Sequence, residues 1–87
     1  MTIRASDDVV FRDLAGEAVL LNLTTGIYFG LNGTGTRMWS VLLETGDKDK
    51  AVAKLVEEFE VETGQIRHDL EAFIHELTGK GLLKSDS

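Results

Sequence analysis

At Asn32 the chain changes its period. Upstream, apolar residues fall in short β-branched and aromatic runs. Downstream they recur at i, i+3, i+4 and i+7. The stretch Gly26-Ile27-Tyr28-Phe29-Gly30-Leu31-Asn32-Gly33-Thr34-Gly35-Thr36-Arg37-Met38-Trp39 joins the two regimes. Proline is absent, so glycine supplies the punctuation. Val9–Leu14, Glu17–Leu23 and Ile27–Leu31 read as three strands, separated by turns at Ala15-Gly16 and at Thr24-Thr25-Gly26. Their close spacing predicts an antiparallel arrangement. Asn32 then caps a helix carrying Met38, Trp39, Leu42 and Leu43 on one side, and Gly46 ends it. Asp47 caps a second helix with the stripe Val52, Leu55, Val56 and Phe59. A third starts near Thr63, buries Ile66, Leu70, Phe73, Ile74 and Leu77, and stops at Gly79 and Gly81, after which Leu82-Leu83 packs back as a short tail or strand. The expected fold class is α+β, winged-helix-like: a three-stranded antiparallel sheet followed by three helices, in one domain over residues 1–87.

The chemistry-bearing residues form no convincing constellation. His68 and His75 are seven apart on the third helix, about 10 Å, whereas a helical zinc pair wants i, i+4. The acid pairs Asp7-Asp8 and Glu57-Glu58 sit in polar surroundings where nothing would drive their pKa values apart. No serine has a Gly-x-Ser-x-Gly setting. Gly30-Leu31-Asn32-Gly33-Thr34-Gly35 lacks the Gly-Lys-Ser/Thr ending of a phosphate loop and reads as a tight strand-to-helix turn. No catalytic residue, metal site or cofactor is expected. There are no cysteines. No apolar run approaches the roughly 20 residues of a membrane span, and residues 1–8 lack the apolar core of a signal peptide, so the expected location is cytoplasmic.

Charge narrows the partners. Nine Lys and Arg against fifteen Asp and Glu leave a net −6. The third helix carries Arg67, then Asp69, Glu71 and Glu76, with Lys80 only at its end, a distribution that repels phosphate. Peptides and proteins are the expected partners rather than nucleic acid. Trp39 shares the register of the core. Tyr28 and Phe29 point to opposite faces of the third strand, so at least one is core.

The runs Gly16–Asn22, Thr25–Asn32 and Gly35–Trp39, then Leu55–Phe59, Asp69–Leu77 and Gly81–Leu83, resemble the PqqD family, named after the small protein of pyrroloquinoline quinone biosynthesis. The resemblance covers residues 9 to 83. It implies a non-catalytic domain that binds the leader of a ribosomally made precursor peptide and presents it to a modifying enzyme, often a radical-SAM enzyme. It also implies that the leader adds as a strand to the edge of the third strand and lies against the third helix. Carried onto this chain, Ile27, Tyr28, Phe29, Gly30 and Leu31 form the strand, and Arg67, Leu70, Glu71 and Ile74 the groove wall. A proline at Phe29 is expected to remove a ladder donor. The uncharged strand edge could also pair two copies into a homodimer. The alternatives are a winged-helix DNA-binding regulator, and a small enzyme or metal carrier using His68 and His75.

Overall fold

The computed structural model describes residues 2–14 and 17–86. Along the chain run β1 (Thr2–Ala5), β2 (Val9–Leu14), β3 (Glu17–Asn22), β4 (Tyr28–Leu31), α1 (Gly33–Thr45), α2 (Lys48–Phe59), α3 (Thr63–Gly79) and β5 (Leu83–Asp86). β2, β3 and β4 form an antiparallel sheet in that order, as the spacing predicted. The expected Ala15-Gly16 turn lies outside the described residues. A second, two-stranded sheet pairs β1 with β5, placing Ile3 opposite Ser85. No sequence signal marks β1, because four residues whose partner lies at the far end of the chain carry no local turn or long alternation.

The register explains the core. Phe11, Leu20 and Phe29 lie opposite one another across the three strands, and opposite residues share a face. On that face Ala18, Leu20 and Leu31 are buried against the helices, with Phe29 packed at the margin. Met38, Trp39, Val41 and Leu42 of α1, Val52 and Leu55 of α2, and Ile66, Leu70 and Leu77 of α3 complete the core. Leu43, expected on the buried side of α1, is exposed: a helix stripe has a margin, and Leu43 lies beyond it. Val56 and Phe59 of the α2 stripe and Ile74 of α3 are half-buried.

Two side-chain caps set the helix starts. Asn32 accepts from the Gly35 amide at 2.7 Å, and Asp47 from the Lys50 amide at 3.0 Å. Gly46 ends α1 in the left-handed region (φ 66°), and its carbonyl accepts from the Ile3 amide at 2.8 Å, anchoring β1. Between β3 and β4, Asn22 Oδ1 accepts from the Thr24 and Thr25 amides at 2.9 and 3.1 Å. Its Nδ2 donates to the Gly81 carbonyl at 2.9 Å. One buried carboxamide thus folds the β3–β4 turn and ties it to the end of α3. Strand three accordingly begins at Tyr28 rather than at Ile27, which stays in the turn, and Leu23 is also outside its strand.

Asn22→Ala leaves a half-buried carbonyl and two turn amides without their partner. It is expected to destabilise the protein by about 2 kcal/mol in urea unfolding, a larger loss than truncation of an exposed polar residue. The surface pairs predict a pH dependence. Hydrogen bonds from Lys84 to Asp7, Lys54 to Glu44, Arg37 to Glu58 and Lys48 to Glu71, and the Lys50 amide on Asp47, hold these carboxyls below their ordinary values of 3.8 for Asp and 4.5 for Glu. A lowered folded-state pKa stabilises the fold above the unfolded value, and that contribution disappears as pH falls through the folded value. Urea midpoints measured from neutral pH down to about pH 3 are expected to stay level until near pH 4.5 and then to fall.

Candidate functional site

An antiparallel ladder uses each strand residue alternately. The Asn22 amide donates to the Ile27 carbonyl at 2.9 Å, and the register then pairs Leu20 with Phe29 and Ala18 with Leu31. On the other side of β3, the Leu23 amide donates to the Asp8 carbonyl at 2.9 Å, which assigns the odd-numbered residues of β3 to β2. Phe29 and Leu31 therefore spend their backbone groups on β3. The amides and carbonyls of Tyr28 and Gly30 point away from the sheet, and no described strand pairs with them. This changes the expectation for proline at Phe29: the donor lost there belongs to the protein's own sheet, not to the free edge.

The free edge runs along a groove. A cavity of about 210 Å³ is lined by Phe29, Gly30, Leu31, Asn32 and Gly35 on one side and by Phe73 and Glu76 of α3 on the other. It adjoins a second hollow of about 280 Å³ bounded by Thr34, Met38, Asp69 and Ala72 as well as Phe73 and Glu76. Gly35 keeps the two walls close. A Cβ there would stand 3.3 Å from Asn32 Oδ1, 3.4 Å from Leu31 Cδ2 and 3.6 Å from Phe73 Cε1. At the Phe29 end, Lys80 Nζ lies 5.9 Å from the centre of the Phe29 ring. On the opposite edge of the sheet, β2, Phe11 lies on the inward face yet is 40% exposed. Both edges could accept a strand, and β4 offers side-chain pockets beside it.

The expected site residues divide between two places. Phe29, Gly30 and Leu31 line the groove. Tyr28 lies on the edge, with its side chain on the outer face of the sheet, 73% exposed and in register with Leu21. Ile27 precedes the strand in the turn. The α3 residues were expected on the groove wall, and the structure places them elsewhere. Leu70 is fully buried and offers no surface. Arg67 pairs with Asp49 at 2.7 Å and Glu71 with Lys48 at 2.9 Å, both facing the start of α2. Ile74 lines a separate hollow of about 270 Å³ with Ile3, Glu71 and His75. Successive helical residues advance about 100°, so 67, 71 and 74 occupy one flank of the buried stripe and 69, 73, 76 and 80 the other. Both flanks read as polar residues beside an apolar stripe, and the sequence did not say which faces β4. Phe73, Asp69, Glu76 and the small residues Ala72 and Gly35 were missed as groove residues. The pairing of two small residues with an aromatic across a gap was the available signal.

Electrostatics away from the groove are those of a paired surface. The Asp49 hydrogen bond raises the Arg67 pKa, and the Glu58 hydrogen bond raises that of Arg37. Asp7 and Glu58 are held ionised by Lys84 and Arg37, the opposite of what a general acid needs. No group of three or more His, Cys, Asp or Glu able to hold a metal ion occurs among the described residues. No helix among them is long and apolar enough to cross a membrane.

The model of the family described as Coenzyme PQQ synthesis protein D (PqqD) matches residues 17–83. A solved structure described as TbiB1 in complex with the TbiA(beta) leader peptide superposes with a TM-score of 0.87 at 37% identity, over 97% of this chain and 98% of that one. A second, lasso peptide synthetase B1 complexed with the leader peptide, superposes with a TM-score of 0.88 at 24% identity, over 98% of this chain and 100% of that one. No match is found among curated proteins.

Proposed function

The chain belongs to the PqqD family, and we propose that it is a non-catalytic module that binds the leader segment of a ribosomally synthesised precursor peptide by strand addition to β4. The observation that carries this reading is the outward-facing backbone of Tyr28 and Gly30 lying beside the groove walled by Phe73 and Glu76. Backbone hydrogen bonds there would each contribute roughly 0.5–1.5 kcal/mol net and would be blind to sequence. The pockets over Phe29, Leu31 and Phe73 would supply selectivity. The 37%-identical TbiB1 is described in complex with a leader peptide, and that likeness supports the same class of ligand here.

In this reading the whole chain acts as one binding domain in the cytoplasm and delivers its peptide to a modifying enzyme. A radical-SAM enzyme is the class the family resemblance suggests. The uncharged β4 edge also permits a homodimer, which a bound peptide would have to displace. DNA binding is not favoured. Asp69, Glu71 and Glu76 stand along α3 in a chain of net charge −6, a distribution that repels phosphate.

Anisotropy titration of a labelled leader, taken from the precursor gene beside this one, is expected to give saturable binding below about 100 μM. Absence of saturation, with and without the neighbouring enzyme, would remove the proposal. Tyr28→Pro and Gly30→Pro delete an outward donor at an edge, where proline is tolerated, and are expected to weaken binding about tenfold with circular dichroism preserved. Phe29→Pro is expected to destabilise the sheet itself. Phe73→Ala is expected to cost about tenfold in affinity. Arg67→Ala and Glu71→Ala, on the far flank of α3, are expected to stay within about twofold of the parent.

A further inference from the structure

The groove carries charge that strand addition does not use. Asp69 and Glu76 stand two helical turns apart, about 10 Å, on one flank of α3: Glu76 borders the hollow beside β4, and both border the adjoining hollow against Asn32 and the start of α1. Phe73 lies between them, over Leu31 and Gly35. Five other carboxylates, Asp7, Glu44, Asp49, Glu58 and Glu71, pair with Lys84, Lys54, Arg67, Arg37 and Lys48; Asp13, Glu57, Glu60 and Glu62 make no ion pair among the described residues either, but none of them borders the groove. Among the described residues, the Asp69 carboxylate accepts from the neutral Gln65 amide, at 3.0 Å, and makes no ion pair. Glu76 makes no ion pair among the described residues. The cation one turn beyond it, Lys80, lies over the Phe29 ring.

A strand laid on β4 presents alternate side chains to α3, spaced about 6.7 Å apart. If one of them seats on the apolar floor of Leu31 and Phe73, the next on the same face comes opposite an acidic residue. We propose that the groove selects extended peptides that carry a Lys or Arg two positions from an apolar anchor, with Glu76 as the principal acceptor and Asp69 as the second. This rests on the groove being a peptide site and narrows the class of peptide it takes. The pair forms against Phe73, partly out of water, where a charge-assisted hydrogen bond is worth more than on an open surface. The net −6 of the chain draws such a peptide in and repels an acidic one.

The test uses the full chain and its Glu76→Lys variant, each panned against a phage-displayed random library of peptides about 12 residues long, roughly 40 Å when extended. Glu76 is exposed and makes no ion pair among the described residues, so the variant is expected to keep the parent circular dichroism; Glu76→Gln serves if it does not. Peptides enriched on the parent are expected to show Lys or Arg two positions from an apolar residue, and the variant is expected to lose or invert that preference. For the best parental peptide, labelled and titrated, the variant is expected to bind about fivefold more weakly at low salt. That gap should close near 1 M NaCl. Enrichment that is blind to charge, or that favours Asp and Glu, overturns the inference and leaves peptide binding standing. No enrichment on either protein overturns the peptide site itself.

Discussion

An antiparallel strand can satisfy only half of its backbone groups on one neighbour, and β4 is where this chain leaves the other half open. Phe29 and Leu31 are committed to β3, so Tyr28 and Gly30 present their amides and carbonyls outward. The rest of the architecture keeps that edge both open and shaped. Helices cover one face of the sheet, α3 stands off from β4 by the width of a groove, and Gly35 lets α1 start directly beneath it. Had α3 packed closer, the edge would be buried with unmet hydrogen bonds, an arrangement proteins avoid.

Holding the gap requires α3 to be fixed from elsewhere. Asn22 joins the β3–β4 turn to Gly81, just past the end of α3, so one buried side chain sets the distance between the edge and the wall at their shared end. The β1–β5 sheet closes the other side: β5 follows α3 directly, β1 is pinned to Gly46 at the end of α1, and Lys84 reaches Asp7 at 3.0 Å. The terminal strands therefore brace the helix that forms the groove without entering it.

Much of this was legible beforehand. The change of period at Asn32, the caps at Asn32 and Asp47, and the stripes of α1 and α2 follow local rules that act within a few residues. The third strand as the docking edge came instead from the family resemblance, since which strand lies at an edge depends on the order of the whole sheet. Three features escaped because they are non-local. β1 needs a partner at the other end of the chain. Asn22 reads as an ordinary turn residue until Gly81 arrives beside it. The flank of α3 that meets β4 depends on how the helix is rotated about its buried stripe, and Leu70, Arg67, Glu71 and Ile74 fit a wall as well on paper as Phe73, Asp69 and Glu76 do. A hydrophobic stripe fixes what faces the core; it leaves the choice between its two margins to the packing of the other elements.

An exposed, uncharged edge strand is ordinarily an aggregation hazard, and this chain handles it without charging the strand. β4 is only four residues long, which limits the ladder any partner can form. The acidic residues sit on the wall instead. A second copy approaching edge to edge would bring its own Asp69 and Glu76 toward the first pair, within a dimer of net −12 from two chains of −6. A cationic extended peptide meets the same residues with the opposite sign. Placing charge beside the edge rather than on it would weigh against the homodimer that the uncharged strand permits while leaving the backbone ladder available, so in the proposed reading one pair of carboxylates would discriminate against the copy and in favour of the ligand.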